Sequence, residues 1–178
     1  MQLHHVGYFP KRTALPPDWA HPPHVCELCS VSTCLAPAPA EWIQHWRHND
    51  LGFFNTIADA ESVVPSGAAG YSLFAYRLLP FLFSAGRQAA LSLPPLTPEP
   101  LPPTYVSLGF DAVSKSLSSY FECSPLSCNG EAAKHTVNQY CLFTGAAEAA
   151  AAATQWSIEQ PEPGDYYVFE VLRPKAGV

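Results

Sequence analysis

Between Leu93 and Pro103 the chain reads L-P-P-L-T-P-E-P-L-P-P, and neither a helix nor a central strand can pass through it. Proline has no amide donor and pushes the residue before it into extended backbone. Such a tract rises roughly 3 Å per residue as a polyproline-like ribbon, so it either links two domains or crosses one face of a single one. The flanking pieces, residues 1–92 and 104–178, are small, and one domain over residues 1–178 is the expectation. Proline-rich segments also serve as ligands for aromatic-lined grooves, a less economical reading here. The remaining prolines concentrate between Pro10 and Pro39.

Around the tract, hydrophobic periodicity predicts alternating strands and helices. Strands are expected at 2–9, 71–83, 88–93, 105–113 and 166–172, the second and third separated by the turn-forming A-G-R. Helices are expected at 41–49, 55–64 and 146–156, the last with Thr144 as cap and Glu148 near its positive end. This order predicts an α+β fold: a mixed, mostly antiparallel sheet packed against two or three helices, with a long Pro-rich surface excursion. The one internal repeat read from the sequence is a pair of cysteine hexapeptides, C-S-V-S-T-C and C-S-P-L-S-C.

Apolar residues make up 48% of the chain, enough for a packed core and too many for a disordered segment. Charged residues are only 13%, about half the usual share, so apolar surface is left for a partner. The net charge is −6 and the nine basic residues are scattered, which excludes the basic stripe a nucleic-acid binder needs. Nor is there a polybasic segment for an anionic membrane surface. The longest apolar stretch, Tyr71 to Ser84, is broken by Arg77 and Pro80 and is too short to span a bilayer. No basic segment leads into an apolar run at the start of the chain, which predicts a cytoplasmic protein. The alanine- and proline-rich composition suggests a GC-rich bacterial genome.

In a reducing cytoplasm, six cysteines point to metal ligation, a reactive thiol or burial before disulfides. The first hexapeptide, Cys29 to Cys34, is preceded by His21, His24 and Cys26, giving H-x2-H-x-C-x2-C-x4-C. Thiolate and imidazole are the ligands zinc prefers. A structural zinc held by His24, Cys26, Cys29 and Cys34, or shared with Cys123 and Cys128 of the second hexapeptide, would account for both pairs. The plainer alternative is that the cysteines are small apolar residues of the core.

Two further groupings carry chemistry. Glu41, His45 and His48 share one face of the expected helix 41–49, beside Trp42, Trp46 and Asn49; a solvated stripe opposite a packed one explains them without a ligand. Cys128, His135 and Asn138 are the parts of a thiol nucleophile with its base and orienter, although such partners usually converge from distant segments.

Two charges interrupt apolar strands, Arg77 in Y-S-L-F-A-Y-R-L-L-P and Glu170 in Y-Y-V-F-E-V-L. Burying either alone is costly, so they pair with each other or sit at sheet edges. With Ser114, Ser116 and Ser118 between them, the order of arginine strand, serine-rich strand and late glutamate resembles ADP-ribosyltransferases. That resemblance implies Arg77 and a serine supporting a nicotinamide dinucleotide and Glu170 orienting the acceptor; the family's S-T-S and paired glutamate are absent. The leading expectation is a small bacterial binding protein with a protein partner or self-association, with a transferase-like or cysteine-dependent enzyme as the alternative.

Overall fold

A computed structural model describes residues 2–12, 21–32, 48–66, 68–115 and 123–175. Five antiparallel strands form one sheet: β1 (His4–Arg12), β2 (Tyr71–Ser84), β3 (Arg87–Ala90), β4 (Tyr105–Lys115) and β5 (Asp165–Pro174). Their order is β1-β2-β5-β4, with β3 continuing the β1 side of the sheet along the second half of β2. Three α-helices are described, α1 (Ile57–Ser62), α2 (Pro125–Cys128) and α3 (Ala146–Glu159), and a 3-10 turn follows α2 at Glu131–Lys134. The chain is therefore a single α+β domain, as its pattern predicts. The expected helix 41–49 lies mostly outside the described residues; at its described end His48 forms an isolated bridge to Phe54.

Direct partners in an antiparallel ladder place their side chains on the same face. Arg77 faces Glu170, Ala75 faces Leu172 and Tyr8 faces Ala75, so these residues share a face with Val168, Tyr166 and Ala112. The alanines of α3 and Trp156 pack on that face, where small side chains let the helix lie close. The proline tract crosses the same face as an irregular strap. Leu91, Leu93, Leu96 and Leu101 press on the core, Glu99 takes the Ile57 amide at the start of α1 at 2.6 Å, and the Tyr8 hydroxyl donates to the Pro100 carbonyl at 3.3 Å. On the opposite face lie Phe9, Lys11, Tyr76, Phe169 and Asp111, covered by the loops that carry the cysteines.

The two halves of the chain repeat one another, well beyond the paired hexapeptides. Each runs strand, cysteine hexapeptide, asparagine turn, helix, strand. In V-G-Y of β1, Gly7 has φ +132° at a bulge and pairs with Tyr76; in L-G-F of β4, Gly109 has φ +140° at a bulge and pairs with Val171. Tyr76 and Val171 face each other across the β2–β5 seam, which places a pseudo-twofold axis there. The asparagine turns correspond bond by bond. Asn49 donates its amide to the Val6 carbonyl at 2.8 Å and accepts from the amides of Leu51 and Phe53. Asn138 donates to Leu108 at 2.7 Å and accepts from Tyr140 and Leu142. Each turn then seals a sheet edge: Tyr8 and Phe54 exchange backbone hydrogen bonds of 2.8 and 2.9 Å, and Phe110 and Phe143 do likewise.

Candidate functional site

The two hexapeptides converge on one buried carboxylate. Asp111, on β4, is fully buried on the loop face. One of its oxygens accepts the Ser30 hydroxyl at 2.6 Å and the Val31 amide at 2.9 Å. The other accepts the Ser124 hydroxyl at 2.6 Å. Ser30 and Ser124 are the second residues of C-S-V-S-T-C and C-S-P-L-S-C, so the repeat has a common anchor. Ser124 also precedes α2, with Pro125 at its first position, and its hydroxyl is committed to Asp111 instead of capping that helix.

From the opposite edge of the sheet and on the same face, Lys11 on β1 reaches the same segment. It is buried, and its ammonium donates to the backbone carbonyls of Ser30 and Ser32. The first hexapeptide is thus tied at one flank to β1 and at the other to β4. Burial lowers the Lys11 pKa to about 8, against the pull of Asp111. Burial raises that of Asp111, opposed by the donors from Ser124, Ser30 and Val31 and by Lys11. A buried ion needs such partners to stay in place.

Cys26, Cys29, Cys123 and Cys141 stand outside any disulfide, and Cys128 is disulfide-bonded. Cys34, the remaining cysteine, lies outside the described residues. Cys29 is buried, and burial drives its pKa up to about 12, so it is a protonated thiol at neutral pH. Cys26 is exposed, its thiol directed at the His24 carbonyl at 3.5 Å. His24 places Nε2 2.8 Å from the Val137 carbonyl, to which it donates. Among the described residues, no three of His, Cys, Asp and Glu gather as a ligand set. As a disulfide, Cys128 offers no thiolate to a metal or a substrate.

The other sequence candidates are also placed. The Arg77 Nε lies 2.7 Å from Glu170 Oε2, the side chains 35% and 7% exposed, so the two strand charges are partners. Ser114 shares their face, opposite Tyr166, but its hydroxyl donates to the Cys123 carbonyl at 3.3 Å; Ser116 and Ser118 lie outside the described residues, as do Glu41, Trp42, His45 and Trp46. His135 stacks edge-on against Phe143 and Trp156, with centroids 5.5 and 5.3 Å away. The Asn138 amide is engaged in its turn.

The sequence reading missed Asp111 and Lys11, and it placed Asn49 on a helix face and Asn138 beside a nucleophile where the structure has them shaping turns. The charge-in-a-strand signal that singles out Arg77 and Glu170 is equally present in L-G-F-D-A-V. The chain matches no family model, and no curated protein or solved structure matches it.

Proposed function

We propose that this chain acts by binding a protein, either a partner or a second copy of itself. The observation that carries this reading is that, among the described residues, several side chains an enzyme would draw on are engaged in holding the fold. Asp111 anchors two loops, Asn138 a turn, Glu170 holds Arg77, and Cys128 is in a disulfide. The low surface charge adds support. Among the described residues no helix is long and apolar enough to cross a membrane.

The transferase alternative is separable by melting curves. It expects a nicotinamide dinucleotide to raise the melting temperature and Glu170→Ala to leave the fold intact. The binding reading expects no shift with the dinucleotide, and a clear loss of stability in Glu170→Ala because Arg77 loses its partner. Chemical cross-linking of the native protein in its own cells, followed by reconstitution of the cross-linked pair from purified components, tests binding directly. Failure of every reconstituted pair, the self-pair included, refutes it.

Zinc and compartment turn on the same bond. Glutathione keeps cytoplasmic thiols reduced, so a cytoplasmic chain carries Cys128 as a thiol, and that reduced form is the one in which we propose a structural zinc. Alkylation of protein taken directly from cells reads the state of Cys128; elemental analysis of chelator-free reduced protein reads the metal. A Cys128 that resists alkylation in denaturant and chelator until reductant is added excludes the reduced cytoplasmic form, and metal-free reduced protein excludes zinc.

A further inference from the structure

We propose that the chain pairs with a second copy of itself through the outer edge of β3, an inference that rests on the binding reading above. The sheet closes its other outer edges with its own backbone: Phe54 covers β1, while Phe143 and Cys123 cover β4. Strand edges left open invite pairing, and proteins usually guard them with a covering segment, a proline or a charge. Among the described residues no strand covers β3. Its four residues, Arg87 to Ala90, are all exposed, and only the first is charged.

The hairpin geometry defines which groups are offered. Ala85 and Gly86, with φ of 46° and 73°, make a two-residue turn between the paired residues Ser84 and Arg87. The Leu91 amide bonds the Pro80 carbonyl at 3.0 Å, so alternate residues of β3 point their backbone groups at β2. Gln88 and Ala90 therefore point theirs outward.

An antiparallel copy satisfies both when Gln88 lies opposite Ala90 of the second copy. About four new hydrogen bonds form across the twofold axis. Ala89 then meets Ala89 of the second copy on the axis, at the close approach small side chains permit, and the two Arg87 side chains are kept apart. Ile158, 66% exposed, stands against Gly86 at the hairpin turn and adds an apolar rim. The occupant is a second copy because this register is self-complementary, with no like charges opposed at the edge. The remaining obstacle is the −6 charge of each copy, which salt screens.

Sedimentation of the purified chain over a concentration series, in low and high salt, is the test. The expected result is a monomer–dimer equilibrium that strengthens with salt. Ala89→Glu and Ala89→Lys each place like charges on the axis and are expected to weaken dimerisation by about tenfold or more; mixing the two variants restores it as a heterodimer. Because Ala89 is exposed, melting curves of both variants should match the parent at concentrations where all three are monomeric. A parent that stays monomeric throughout overturns the inference while leaving a foreign protein partner standing. A parent that dimerises equally well with either charge at position 89 overturns the β3 site but keeps self-association.

Discussion

Asp111 and Lys11 show how few residues hold the cysteine loops to the sheet. Replacing Asp111 with alanine strands two serine hydroxyls, one backbone amide and the Lys11 charge in an apolar layer. The expected cost is about 3–5 kcal/mol, read as a shift of the urea midpoint. The pH dependence has a definite sign. The folded Lys11 loses its proton at about 8 and the unfolded one near 10.5, so above pH 8 the unfolded chain holds more protons and the fold gains stability as pH rises. The thiols of Cys29 and Cys141, raised from 9.0 to about 12, act in the opposite sense above pH 9. Stability should therefore climb between pH 8 and 9 and turn down above it. Lys11→Met should abolish the climb, and a parent curve already falling at pH 8 would show that Lys11 titrates normally.

At the scale of elements, the asparagine turns are the device that closes the sheet edges. A Cβ on Gly109 would lie 2.6 Å from the Phe143 carbonyl oxygen, at a φ of +140° that side chains rarely adopt. Gly109→Ala is expected to detach the Phe143 bridge and cost several kcal/mol, about 3, seen as faster amide exchange at Phe110 and Phe143. Cys141 stands where the first turn has Gly52, and both have positive φ, 59° and 83°. Cys141→Gly should therefore cost about 1 kcal/mol or less by urea titration, because relief of the left-handed strain offsets the lost burial.

The strands and the helices α1 and α3 were legible in the sequence because their periodicity is local. The turns were not, since N-D-L-G-F-F-N-T and N-Q-Y-C-L-F-T-G share only two letters in register. What repeats is a set of backbone bonds that different side chains can satisfy. The short α2 escaped notice for a related reason: Pro125 is a first-turn signal, but Ser124 serves Asp111. Arg77 and Glu170 were readable as a pair because a strand leaves few places for an isolated charge. The disulfide at Cys128 was not readable, because residue spacing does not report the pairing state of a cysteine.

Across the whole molecule, the loop face combines polar anchors with a covalent tie. Non-reducing peptide mapping should place Cys128 in a disulfide-linked peptide. Reduction should then lower the melting temperature by several degrees, since a cross-link restrains the unfolded chain. A Cys128 peptide that runs alone without reductant would contradict this. The strap 93–103 acts at the same scale, because it joins the two halves while Glu99 holds it to α1.

The seam between β2 and β5 frees the halves of this chain from a constraint that every true homodimer obeys. When two identical copies meet across an axis, any change on one side is imposed on the other. Here the position filled by Phe9 in the first half is filled by Asp111 in the second. Two carboxylates in that layer would repel, and two phenylalanines would leave the serines of both hexapeptides without an acceptor. Covalent continuity lets one side keep the grease and the other carry the charge, so a single acid serves both loops.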